Sequence, residues 1–205
     1  MEAAAAALAL GLLSTLAALL DVRLRQGDQG SGATCAREAA TAAFGAMAKA
    51  LRGPLRQEPD LVSDAARSLV GLARCNDAAC AAAASTPHLA AALAAALAGG
   101  LLPNALDSGG GGDAAAGAGT ELQLQCASLI SRMLTVKSIE LRTQVAHEVA
   151  DVPGVLAALV RLLANPNPTT AADTARALSL IANLTPAARG AIMRLPVLAA
   201  LGSTQ

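Results

Sequence analysis

The chain has 205 residues with 15 basic and 15 acidic side chains, so its formal net charge is zero. That length allows one domain or one extended array, and the charge balance argues against a non-specific nucleic-acid binder, which needs a basic surplus to neutralise phosphates. Hydrophobic residues make up 54%, yet Phe44 is the sole aromatic; base-stacking platforms are missing as well, and nucleic acid is not expected as a partner.

The apolar share is mostly Ala and Leu. A buried Leu is worth about 1.5–3 kcal/mol, whereas Ala adds little area. Such a core has to come from Ala faces that approach closely and are stitched by Leu, which suits helices packed on helices. Both residues are strong helix formers, and long runs of Val, Ile or Thr that would make strands are few. The fold class is all-α.

In chain order, residues 3–20, "AAAAALALGLLSTLAALL", form an 18-residue uncharged run at the lower edge of a membrane-spanning length. Glu2 precedes it and no Lys or Arg does, unlike a signal peptide. The run reads as a buried first helix, with a membrane or targeting segment as the alternative. Together with "ATCAREAATAAFGAMAKAL" at 33–51 it makes an N-terminal helical pair, residues 1–52, around a flexible "QGDQGSG".

Residues 53–205 repeat one joint. Leu51 ends a helix, Gly53-Pro54 breaks it, and Ala65 lies 14 residues on. Leu163 and Ala177 are also 14 apart, across Pro166 and Pro168. The helix before that joint carries Val155, Leu159, Leu162 and Leu163 on one face; Thr169 or Thr170 offers an N-cap for the helix after it, running to about Leu184. The middle copy separates Leu97 from Cys126 by 29, and the excess matches "DSGGGGDAAAGAGT" at 107–120, which reads as a flexible insertion. "VLAAL" recurs at 155 and 197 (Val155 begins at residue 155 with "VLAAL" following), 42 residues apart, inside the range of about 40–47 for helical solenoids. "SLISRM" at 128–133 echoes "SLIANL" at 179–184.

Chemical motifs are missing around these helices. Cys35, Cys75, Cys80 and Cys126 form no CxxC pair and read as small buried residues of a reducing, intracellular and cytoplasmic setting. His88 and His147 do not complete a zinc set. The Gly runs at 29–32 and 108–112 lack the Lys and Ser or Thr of a phosphate loop, and Asp113 would repel phosphate. No GxSxG surrounds any Ser. No catalytic residue, metal or cofactor is expected, and the "NLT" at 183–185 reads as unmodified.

The pattern resembles the armadillo repeat, with HEAT repeats as the near alternative for residues 1–52. Asn183-Leu184, preceded by Ala177 and Ile181, matches the A-x-x-x-L-x-N-L of that repeat's third helix. Arg132-Met133 and Gly71-Leu72 stand at the same place in the other copies. The resemblance covers about residues 40–201. It implies a right-handed α-solenoid whose third helices line a concave face, where an extended peptide is bound and the Asn grips its backbone.

Spacings of three, four and seven put side chains on one helix face. They define Asp64, Arg67 and Gly71 in one copy, Gln125, Ser128 and Arg132 in the next, then Arg176, Ser179 and Asn183. Of these, Arg67, Gln125, Ser128, Arg132, Arg176, Ser179 and Asn183 are the candidate partner-binding groove. Import receptors of this kind pair the Asn with a Trp one turn earlier; Ser179 stands there instead, so basic import signals are not expected and arginines favour acidic or carbonyl-bearing partners. The expected function is a non-catalytic interaction or scaffold module for another protein or extended peptide. The alternative is a structural subunit packed permanently in a larger assembly, such as a ciliary or organellar one. A membrane is not the expected partner. With no polar helix following "VLAAL" at 197, Ile181, Leu184, Val197 or Leu201 should be uncovered, inviting self-association or a continuation at that end.

Overall fold

The computed structural model of the chain describes residues 31–52, 59–99 and 113–195, and every structural statement below concerns these residues. They are all-helical: α1 Ser31–Arg52, α2 Pro59–Cys75, α3 Asp77–Ser85, α4 Leu89–Gly99, α5 Asp113–Met133, α6 Ile139–Ala150, α7 Val155–Leu162, α8 Pro168–Leu184 and α9 Pro186–Ile192. The expected run at 3–20 and the "VLAAL" at 197 lie outside the described residues.

Sequence-local signals set most of these boundaries. Asn76 alone separates α2 from α3; its Oδ1 accepts from the N–H groups of Ala78 and Ala79 at 2.8 and 3.1 Å. Cys75 and Cys80 therefore sit on different helices. The turn Thr86–His88 bends the chain by 84° between α3 and α4. Here Thr86 Oγ1 donates to the Ala82 carbonyl at 2.8 Å, and His88 takes φ 61°, a left-handed conformation that costs a β-carbon-bearing residue about 1–2 kcal/mol. Ser138 caps α6 by accepting from Leu141 N–H.

Two boundaries differ from the sequence reading. The cap of α8 is Asn167, not Thr169 or Thr170: its Oδ1 accepts from both of those N–H groups, at 3.0 and 3.5 Å, and Pro168 follows at the first helical position. That combination suits a helix start better than Thr does, because proline has no N–H to orphan and its φ is already helical. Second, α5 begins at Asp113, inside the stretch 107–120 expected to be a flexible insertion. Ala114, Ala115, Ala116 and Ala118 favour helix strongly enough to carry Gly117 and Gly119, and an acidic residue at the start suits the helix dipole.

Contacts between helices recur three elements apart. α1 packs on α4 and α4 on α7; α2 packs on α5 and α5 on α8; α3 packs on α6. The core is continuous through all of them and its largest buried side chains include Phe44, Met47, Leu69, Leu93, Ile130, Leu159 and Ile181. At its centre is α4, "LAAALAAALAG", which touches α1, α3, α5, α6 and α7. Its alanines 90, 92, 94 and 96 are buried along with Leu89, Leu93 and Leu97, as expected of a helix apolar all round. No single described helix is long and apolar enough to cross a membrane; the bent pair α3–α4 meets the hydropathy requirement only jointly.

At the C-terminal end, Ile181 is fully buried and Leu184 half-buried, because α9 folds against α7 and α8. Ile181 is thus covered and Leu184 only partly so, while Val197 and Leu201 lie outside the described residues. Met193, at 81% exposure, is the most exposed large apolar side chain described.

Two glycines in this fold should respond oppositely to alanine. Gly154 starts α7 at φ 82°, so Gly154→Ala should destabilise by about 1–2 kcal/mol. Gly71 is inside α2, and a Cβ there meets nothing within 4 Å. Gly71→Ala should therefore stabilise by about 0.5–1 kcal/mol. Urea unfolding of both variants against the parent checks the signs.

Candidate functional site

The three predicted groove segments lie on α2, α5 and α8, which pack side by side in that order. Along this row the outer members face solvent: Asp64, Arg67 and Gly71 on α2, and Arg176, Ser179 and Asn183 on α8, are exposed. The middle member is covered. Gln125 and Arg132 are half-buried and Ser128 is buried, since within this row α5 is packed against both α2 and α8.

Much of the polarity in this row is satisfied within the protein. Arg67 donates to Asp64 Oδ1 at 3.0 Å and to Glu121 Oε1 at 3.3 Å, and Gln125 Nε2 donates to the same Glu121 oxygen at 2.6 Å. Arg132 turns sideways: its Nη2 donates to the carbonyls of Ala73 and Arg74 at 3.3 and 3.2 Å. Those are end-of-helix carbonyls of α2 that lack intrahelical partners, so Arg132 caps a neighbouring helix instead of reaching outward.

Two residues absent from the sequence-based set complete the row. Arg74 Nη2 donates to Ser128 Oγ at 2.6 Å and to Asp173 Oδ2 at 2.8 Å, and Ser128 Oγ donates to the same Asp173 oxygen at 2.7 Å. One contact point thus ties α2, α5 and α8 together. Asp173 carried a readable signal: it precedes Ala177 and Ile181 by four and eight positions, on the stripe that enters the core. An acid on such a stripe needs a cationic partner, because a buried charge is stable only when paired and hydrogen-bonded.

On α8 the situation reverses. No hydrogen bond or ion pair among the described residues engages the side chains of Arg176, Ser179 or Asn183. Arg189 of α9 donates from Nε to the Ala182 carbonyl at 3.0 Å, which sets its guanidinium at the C-terminal end of α8.

The buried thiols are chemically quiet. Burial pushes Cys80 up to about 11, with Arg132 opposing and Asp77 adding to the shift; burial alone pushes Cys126 up to about 12. Cys80 also donates through Sγ to the Arg132 carbonyl at 3.0 Å. A protonated thiol is a poor nucleophile and metal ligand. No group of three or more His, Cys, Asp or Glu among the described residues is arranged to hold a metal ion.

Two outcomes follow. The Arg74 side chain is 44% exposed and that of Asp173 only 13%. Losing the arginine strands a mostly buried carboxylate, whereas losing the acid leaves a cation that water can reach. Arg74→Ala should cost about 2–3 kcal/mol and Asp173→Ala about 1 kcal/mol; in a denaturant titration both losses would be small and alike if the staple were only a surface pair. The thiols give a pH signature. Both folded values lie above the ordinary 9.0, so above pH 9 the unfolded chain releases protons that the folded one keeps. Stability should hold up to about pH 9 and fall from there to about pH 12. Cys126→Ala should flatten that decline in urea titrations at pH 8 and pH 11.

No protein-family model, curated protein or solved structure matches the chain.

Proposed function

We propose that the chain is a non-catalytic protein-interaction module, an armadillo- or HEAT-like α-solenoid that holds an extended segment of another protein along the face made by α2, α5 and α8. The observation carrying this reading is the three-element recurrence of helix contacts. In a stacked array each element contacts its counterpart in the next repeat, and the third helices then form one continuous surface. Support comes also from the near-perpendicular turn between α3 and α4, which suits a short first helix crossing a second. The exposed, unengaged polar side chains of α8 supply adaptable hydrogen-bonding groups on that surface. An intracellular, reducing setting fits Cys80 and Cys126, which are free thiols within the core.

The blocking variant leaves charge untouched and fills the face. Immobilised chain should retain a protein from native extract, and Ser179→Trp with Asn183→Ala should reduce its recovery at least about fivefold, the equivalent of one lost contact of roughly 1 kcal/mol. Arg161→Gln, on α7, should leave recovery unchanged. Equal recovery by all three proteins would place binding elsewhere on the molecule and defeat the reading.

A further inference from the structure

The two ends of this face differ in charge state. At the α2 end Arg67 is neutralised by two carboxylates, at 3.0 and 3.3 Å. In the middle Arg74 is paired with Asp173 at 2.8 Å, and Arg132 is directed at backbone carbonyls. At the α8 end the balance is lost. From Val155 to Leu195 the chain carries Arg161, Arg176, Arg189 and Arg194, and the one acid in that stretch is Asp173, already paired. The acids of the preceding helix are occupied in part by their own neighbours: Glu140 accepts from Ser138 and Glu148 from Gln144.

The geometry at this end also favours a linear ligand. Arg176, Ser179 and Asn183 share one face of α8 and are all exposed. Their span is about 10 Å along the helix axis, at 1.5 Å per residue, which equals about three residues of extended chain. Arg189 follows on α9, beyond the end of α8; its Nε anchor on the Ala182 carbonyl at 3.0 Å holds the side chain at that end, while no described contact engages its Nη groups. Pre-positioned guanidinium groups meet carboxylates through charge-assisted hydrogen bonds, which are shorter and about twice as strong as neutral ones.

We propose that the ridge formed by Arg176, Ser179, Asn183 and Arg189 takes an acidic, extended segment of a partner protein, and that the α2 end of the same face is excluded from this role by its own ion pairs. This rests on the protein-binding reading above and gives its ligand a chemistry and a position. An extended chain presents alternate side chains on one side, so carboxylates two residues apart would face the ridge together, with Asn183 and Ser179 left to meet the backbone between them.

The probe is a fluorescein-labelled peptide of six Glu-Ala repeats, followed by anisotropy with the full chain at low salt, against the matching Gln-Ala peptide. The Glu peptide should bind and the Gln peptide should not. Arg176→Ala and Arg189→Ala should each weaken binding about five- to tenfold, with Arg161→Ala near parental and the Arg176→Ala melting curve unchanged; Arg189→Ala, which also loses the bond to the Ala182 carbonyl, is compared well below its own melting point. Freeing Arg67 by Asp64→Asn with Glu121→Gln should strengthen binding severalfold, an effect a merely structural arginine would not give. Equal binding of the two peptides, or parental binding by both α8–α9 variants, overturns the proposal. So does equally tight binding of an oligothymidylate of the same charge, which would make the ridge a general polyanion surface. If the Trp-blocked variant loses its extract partner while the Glu peptide fails, the binding face stands and the acidic ligand falls. If the extract partner survives the block, the face itself is excluded.

Discussion

Five helices close around Leu89–Gly99 because its surface is alanine and leucine with nothing bulky to hold them apart. A core almost without aromatic rings cannot gain stability from a few large side chains. It has to gain it from many small contacts at short range, each worth about 0.1–0.2 kcal/mol per atom pair. Close approach is therefore a condition for folding here. It also leaves little tolerance: Ala90 and Ala94 are buried, and overpacking a well-filled core costs about 1–3 kcal/mol.

That packing explains where polarity is allowed. Helices that lie close bring their side-chain heads close too, and across α2, α5 and α8 those heads settle one another: Arg74 with Ser128 and Asp173, Arg67 with Glu121, Arg132 with the last carbonyls of α2. A polar row that begins as a solvated face becomes a set of cross-ties where two of its helices meet. Arg176, Ser179 and Asn183, on the exposed face of α8, meet no such neighbour among the described residues.

Much of the helical layout was legible in the sequence, since it depends on local terms. Ala and Leu periodicity, Gly53-Pro54 and the Pro166–Pro168 loop each report on the chain within a few residues of themselves. Local rules also misjudged two places for identifiable reasons: Gly117 and Gly119 drew attention from the alanines around them, and Asn167 was passed over for the threonines it caps. The site was less legible. Arg74 reaches Asp173 across 99 residues of chain, and nothing local tells an arginine at a helix end whether a carboxylate or a carbonyl will lie opposite. Ser128 and Ser179 sit at the same place in echoing hexapeptides, yet one is buried and the other exposed. Their helices have the same periodicity but different numbers of neighbours, a quantity no single segment contains.

The joints between successive helices are of two kinds. Asn76 alone links α2 to α3, and Thr185 alone links α8 to α9, serving at once as the end of one helix and the start of the next. Between α5 and α6, by contrast, residues 134–138 intervene. A one-residue joint has no slack. Neither helix can swing without dislodging the hydrogen bond that closes the other, so torque applied at α9 passes into α8 with almost no compliance, and from there through Asp173 to α5 and α2. The molecule should behave under load as stiff segments in series, yielding at its longer connections while the shortest ones stay intact.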